Sequence, residues 1–368
     1  MHQIELSYAL TGRRNAGAGI RNPLIELLQA VRASGSISGA ASALGLSYRH
    51  VWGELKRWEA ELGRGLIVWE KGQPARLSPF GEKLLWAERQ AQARLAPQIE
   101  SLHADLERAF AIAFDDAAHV LTLYASHDDA LVRLREHAAQ QARLHLDIRF
   151  TGSVDAIAAL NEGRCALAGF HAPPQPAVGS ATERAYRPLL RTGLHKLIGF
   201  ARRWQGLVVA PGNPLHLASF RDLAGRARYV NRARGTGTRL VAEELLAQAG
   251  LRESAVEGWD RAEPSHSAVA EAVAAGSADA GLAIEAAARS RDLDFVPLLQ
   301  EDYYLVCLKS VLEEPPMRAL RQVLASDEWQ QHLHALPGYE PLQSGQVLSL
   351  RQQLPWWRYA KDKPPRAR

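Results

Sequence analysis

Apolar residues recur at helical spacing along the early part of the chain. The segment PLIELLQAVRA, residues 23–33, keeps its aliphatic positions on one face and opens on Pro23, which suits a first helical turn. A short helix fits Ser38 to Leu44, and Gly45 suits a tight interhelical turn. Ser47 is an N-cap for a second helix, in which Val51, Leu55, Trp58 and Leu62 form one inward stripe. The opposite face carries Tyr48, Arg49, His50, Trp52, Gly53, Lys56 and Arg57, and Ala40 and Ala41 are small enough for helices to cross closely. A short helix, a glycine turn and a longer helix with a basic, aromatic face make a helix-turn-helix pattern. In it Ser47, Tyr48, Arg49, His50 and Trp52 reach base edges, while Lys56 and Arg57 meet phosphates. Residues 66–81, LIVWEKGQPARLSPFG, read as strand, turn and strand: a wing whose Lys71 and Arg76 flank the tip.

Residues 80–113 read as one long helix. Leu95, Ile99, Leu102, Leu106 and Phe110 repeat near a heptad spacing, and Pro97 predicts a kink or break. Such a stripe beside a helix-turn-helix predicts a homodimer reading two half-sites of double-stranded DNA.

From about residue 119 the period changes. HVLTLYAS (119–126), LHLDIRF (144–150), CALAGFH (165–171), GLVVAP (206–211), ARYVNR (227–232), ADAGLAIE (278–285) and DFVPLLQEDYYLVCL (294–308) read as strands, with helices over 128–142, 153–162 and 237–249. Strands alternating with helices imply parallel βαβ units. Ligands in such sheets bind at the carboxyl ends of strands. Those ends carry Ser126-His127-Asp128, Thr151-Gly152-Ser153 and Arg234-Gly235-Thr236-Gly237-Thr238-Arg239, and the last opens a helix. Hydroxyls, helix-start N–H groups and arginines predict an anion site. The loop lacks the lysine and spacing of a P-loop, which disfavours nucleotides.

Charge sharpens the division. Residues 1–80 hold ten Lys and Arg against six acids, an excess of four that equals the +4 of the whole chain. A basic head on a balanced body suits a polyanionic partner. Cys165 and Cys307 are far apart in apolar runs, which predicts buried thiols and neither metal site nor disulfide. No stretch approaches a membrane span and no signal peptide is evident, so a cytoplasmic location is expected. With no nucleophile–base or paired-carboxylate motif, no enzymatic activity and no resident cofactor are expected.

The stretch SISGAASALGLSYRHVWGEL, with LIVWE and LSPFGEKLL after it, resembles the DNA-binding domain of ModE-type molybdate regulators and, more loosely, of LysR-type regulators. Further on, YASHDDAL, FTGSVDAIAALNEG, LVVAPGNPL, VNRARGTGTRLVAEELL and AAGSADAGLAIEAAA resemble the type II periplasmic-binding-protein fold, as fused to ModE-like heads and in tungstate-binding proteins. The resemblance implies a multidomain α and α/β chain: winged helix-turn-helix (1–80), linker and dimerisation helix (81–115), two-lobed sensor (116–340, lobe I 119–202 and 290–335, lobe II 205–286) and tail (341–368). It implies lobe crossings near 200–206 and 286–294. Carried over, Ser126, Ser153, Thr236, Thr238 and Arg239 become oxyanion contacts, with His127, Arg234, Gly237 and His266 beside them and Glu285 at the margin. The implied effector is a small anion such as molybdate or tungstate. An organic anion, the molybdenum cofactor, or a rear domain serving only for assembly are the alternatives. In the basic, Pro-rich tail, Trp356 and Trp357 are expected to dock on the body.

Overall fold

A computed structural model describes residues 22–69, 74–114 and 118–357. They fall into two compact units divided at Ala96/Pro97. The first is built from helices whose ends are written locally. α1 (Pro23–Ser34) is capped by the Asn22 side chain, which accepts from the Leu24 N–H at 3.1 Å. α2 (Ile37–Leu44) is capped by Ser36 and ends on Gly45 at φ 66°. α3 (Tyr48–Leu62) starts on Ser47, whose hydroxyl accepts from the His50 N–H at 3.2 Å. Each cap satisfies a donor that the first turn leaves unpaired. Leu28, Val31, Ala40, Val51 and Leu55 form the core, while Trp58 and Leu62 are only half-buried.

The wing is shorter than its sequence suggests. β1 (Ile67–Val68) pairs antiparallel with β2 (Arg76–Leu77). α4 (Pro79–Phe114) begins where a second strand was expected to continue. A Cβ at Gly81 would stand 2.5 Å from the Leu66 carbonyl, so only glycine lets this first turn rest on the hairpin. Of the kink or break expected at Pro97, there is no break: α4 continues through it.

The second unit is a sheet in the order β4-β3-β5-β10-β6-β9-β7-β8 with helices packed on it. The chain lays down β3 (His119–Ala125), α5 (Asp129–Ala142), β4 (Leu144–Phe150), α6 (Ser153–Asn161), β5 (Leu167–Ala172) and α7 (Ala181–Tyr186) as a first lobe. β6 (His195–Val209) then crosses to a second lobe of β7 (Tyr229–Arg232), α8 (Gly237–Gln248), β8 (Ala262–Glu263), α9 (His266–Ala274), β9 (Ala280–Ile284) and α10 (Glu285–Arg289). β10 (Asp294–Leu308) returns to the first lobe, which α11 (Pro315–Ala325), α12 (Asp327–His334), β11 (Tyr339–Pro341), β12 (Val347–Leu348) and α13 (Leu350–Gln353) complete. Within each lobe β3 pairs parallel with β4 and β5, and β7 with β8 and β9.

β6 and β10 are each 15 residues long and antiparallel, with register shifts at Pro297/Leu299 and Tyr303/Tyr304. The return crossing therefore lies inside β10 and not at 286–294, which holds most of α10 and a turn. Trp356 is buried on the first lobe. Among the described residues no helix is long and apolar enough to cross a membrane.

Trp329 on α12 is fully buried and stacks on Phe200 with ring centroids 6.1 Å apart. Trp329→Ala is expected to cost about 3–5 kcal/mol. Urea unfolding measures it, and a loss below about 1 kcal/mol would show that α12 is not anchored there.

Candidate functional site

On α3 the cap at Ser47 turns Tyr48, Arg49 and His50 outward, and all three are exposed. Tyr48 and Trp52 stack with their planes 6° apart. Lys56 lies 4.8 Å from the centre of the Trp52 ring and pairs with Glu59 at 2.8 Å; Arg57 pairs with Glu54 at 2.6 Å. Lys56 and Arg57 therefore have carboxylates already beside them, and Arg49 is the cation of this face with no ion pair among the described residues. Arg76 is exposed on β2, as is Trp69 just after β1, an aromatic that the sequence reading passed over. Lys71 lies outside the described residues.

The crossing strands build the floor of the interlobe cleft. Their register sets Arg203 opposite Glu301 and Arg202 opposite Asp302. Arg203, fully buried, donates to Glu301 Oε1 from Nε at 2.6 Å, and its Nη2 stands 2.5 Å from the same oxygen. It also bonds Asp128 Oδ2, which accepts from the Tyr339 hydroxyl at 2.8 Å. Asp128 Oδ1 caps α5 through the Ala130 N–H at 2.7 Å. Burial opposes the Arg203 charge, but Glu301 and Asp128 overcome it and hold the guanidinium firmly protonated.

The walls are strand ends and helix starts. Ser126 and Ser153 hydroxyls lie 3.3 Å apart, and α6, which starts at Ser153, has no side-chain cap. Across the cleft Gly152 stands against Gly235: a Cβ there would lie 2.8 Å from the Gly235 carbonyl, which accepts from the Val154 N–H at 3.3 Å. Gly237 opens α8 so tightly that a Cβ would lie 2.7 Å from the His171 ring and 3.0 Å from the Tyr186 hydroxyl. Outside this seam Thr182 donates to Glu244 from N at 2.8 Å and Oγ1 at 2.5 Å. The lobes are closed on one another.

Arg232, at the end of β7, is 1% exposed. Its Nη1 donates to the Glu263 carbonyl at 3.0 Å, its Nε has no partner, and it makes no ion pair among the described residues. Burial, then Arg203, push its pKa down to about 9, with the Glu263 charge opposing. His171 and His266 are buried with both ring nitrogens unpartnered. Burial first holds both well below the usual imidazole range; Arg203 then adds to this at His171, and Arg232 and Arg203 at His266. Burial likewise lowers His127, against the pull of Asp129, and its ring lies 4.7 Å from Phe150.

Several expected contacts lie elsewhere or are occupied. Arg234 is 77% exposed and faces Asp260 at 3.7 Å, outside the cleft. Arg239 is buried but turned away: Nε donates to Glu243 at 3.0 Å, Nη1 to the Trp259 carbonyl at 3.0 Å, and it lies 4.5 Å from the Trp259 ring. Its charge is thus answered inside the second lobe. The Thr236 hydroxyl caps α8 and donates to the Ala233 carbonyl at 2.7 Å; Thr238 accepts from Gln205 at 3.0 Å. Glu285 pairs with Arg289 at 3.1 Å. Sequence reasoning missed Arg203, Glu301, Gln205, His171, Tyr186, Tyr303 and above all Arg232. The available signal was charge inside apolar strands: the arginines of GFARRWQG, the acids of LLQEDYYLV and the arginine ending YVNR. Both cysteines are buried, and burial raises Cys165 to about 11 and Cys307 to about 12.

Residues 134–325 match the family described as the PBP superfamily domain, more than half of the chain. The chain belongs to the PBP superfamily. Residues 24–82 match the bacterial regulatory helix-turn-helix of the lysR family. A lysR-type helix-turn-helix fused to a PBP superfamily domain is the make-up of a ligand-responsive transcriptional regulator. Among curated proteins, YvgK of Bacillus subtilis (strain 168) is 30% identical over 221 residues, 60% of this chain and 70% of that protein. A Clostridium pasteurianum protein from the 5′ region of the 2Fe-2S ferredoxin gene is 29% identical over 111 residues, 30% of this chain and 98% of that one. Solved structures that it resembles include full-length BenM (16% identity, TM-score 0.42, covering 86% of this chain and 97% of that one). Another is Corynebacterium glutamicum LysG with its bound effector (18%, 0.39, 82% and 96%).

The neutral cleft histidines have a consequence for stability. In the unfolded chain they take up protons below about pH 6.5, whereas the folded cleft keeps His171 and His266 neutral to lower pH. The unfolded state then binds more protons, so stability falls as pH drops from about 7.5 toward 5. Denaturant unfolding at pH 7.5 and 5.5 is expected to show the loss, and His171→Asn with His266→Asn to flatten it. Equal slopes in both proteins would contradict neutral burial.

Proposed function

We propose that this chain is a homodimeric DNA-binding transcriptional regulator whose interlobe cleft binds a small anion. The observation that carries the reading is Arg232: a buried guanidinium with no ion pair among the described residues, beside Arg203 and three histidines of lowered pKa. An uncompensated buried charge is costly, and an anion closing the lobes removes that cost. Molybdate and tungstate fit the donor side of the cleft, where the Ser126 and Ser153 hydroxyls and the uncapped start of α6 lie, and the ModE-like reading of the head agrees with them. An organic anion, the molybdenum cofactor among them, would use the same guanidinium. Dimerisation through α4 is supported by Leu102 and Phe114, 61% and 77% exposed on a helix whose Ala93 and Ala104 are buried. The ligand acts by favouring the closed lobes, and can shift DNA binding only by its different affinity for the two states.

Thermal unfolding with sodium molybdate, sodium tungstate and small carboxylates tests the cleft. An anion at a hundred times its Kd should add about 2.7 kcal/mol of stability, and Arg232→Met should abolish that gain. No stabilisation by any anion would leave the rear domain as an assembly surface.

For the head, Arg49→Ala is expected to lower the preference for specific over nonspecific duplex by about 1–3 kcal/mol. Arg76→Ala should weaken both and reduce the salt slope by about 1. Salt titrations of DNA binding read both effects, and equal losses from the two variants would count against this docking.

A further inference from the structure

We infer that the ligand of the cleft is amphoteric: an organic molecule with an anionic group for Arg232 and N–H or O–H donors for an acceptor set centred on Glu301. The inference rests on the anion-cleft reading and narrows it.

Glu301 has no exposed surface, and both Arg203 contacts fall on its Oε1. Its Oε2 is buried without a partner. A carboxylate oxygen in that position can only accept. A neutral imidazole carries one donor and one acceptor nitrogen, so His171 and His266, unpartnered at all four ring nitrogens, add two acceptors. The His171 Nε2 is 3.8 Å from Glu301 Oε1, too far for a hydrogen bond.

Unpartnered donors are buried beside these acceptors. They are the unpartnered Arg232 Nε, the Tyr303 hydroxyl and one nitrogen of each imidazole. A bare oxyanion answers these and leaves every acceptor orphaned, which costs affinity at each.

Charge points the same way. Arg203 is bracketed by Asp128 and Glu301, so that trio is net negative. Arg232 makes no ion pair among the described residues, and the Glu263 charge offsets burial and Arg203 only in part, leaving its pKa lowered to about 9. The cleft therefore has a positive pole at Arg232 and a negative one at Glu301. A compact dianion would gain one uncompensated cation and face a carboxylate oxygen. A ligand with an anionic end and a donor-bearing end fits both poles. Sites built to pair a ligand's polar groups reject analogues lacking them by large factors.

Calorimetric titration of the full chain compares two sets of probes. The first has no donors: molybdate, tungstate, sulfate, acetate and benzoate. The second bears N–H groups: orotate, pterin-6-carboxylate, aspartate and glutamate. At least one member of the second set is expected to bind tenfold or more tightly than any of the first. Glu301→Gln should weaken that probe at least tenfold while donor-free anions bind no more weakly, because the carboxylate that faces them is removed. Should the variant not fold, the ranking of the two sets on the unaltered chain decides alone. Tighter binding of a donor-free anion overturns the amphoteric ligand and leaves the anion cleft standing. Binding by neither set overturns both.

Discussion

The sensor unit is organised around one buried guanidinium. Arg203 sits where β6 crosses between lobes, and its partners come from three other places: Glu301 on β10, Asp128 just before α5, and Tyr339 on β11, which accepts from Arg203 at 3.4 Å and donates to Asp128. A buried ion group of this kind is weak evidence for net stability but strongly penalises loss of a member, because the remainder is left uncompensated in a low-dielectric interior. It therefore fixes the register of the two crossing strands, along which lobe closure must be transmitted. It also fixes the start of α5, since the same Asp128 caps that helix.

That ion group has a second effect, on charge. Because two carboxylates meet Arg203, it cannot serve an incoming anion, and the task falls to Arg232 on the opposite lobe. The histidines between them are kept neutral by burial and by both guanidiniums. Close approach of the lobes keeps this arrangement buried. Gly152 against Gly235, and Gly237 against His171, are contacts that no larger residue at Gly152 or Gly237 could make without displacing backbone or ring. Glycines at helix starts, which look like ordinary turn residues, are here the condition for closure.

The head works by a simpler logic. Each helix is begun by a polar side chain that caps it and ended by a residue in the left-handed region, so its geometry is written locally. Its exposed face has stacked aromatics and, in Arg49, a cation with no ion pair among the described residues. The two neighbouring cations, Lys56 and Arg57, are held by glutamates one turn away.

Elements whose causes are local could be read from the amino-acid order. The helix-turn-helix was legible from caps, the turn glycine and the Val51–Leu55 stripe; the βαβ alternation from periods of apolar residues; and the burial of both cysteines from their apolar runs. Helices after residue 310 went unread although their signals are local: α11 opens on prolines with Met317, Leu320, Val323 and Leu324 buried, and Ser326 caps α12. The candidate site was legible only as a neighbourhood. The loops at 126, 153 and 236 come together at the seam between the lobes, yet Arg239 is turned aside by Glu243 and Trp259, and Arg234 faces solvent. Which arginine is left without an ion pair among the described residues depends on cross-strand register and packing over long separations: Arg203 pairs with Glu301 and Asp128, whereas Arg232 bonds the Glu263 carbonyl. Composition counts charges, but only the tertiary structure decides which of them cancel.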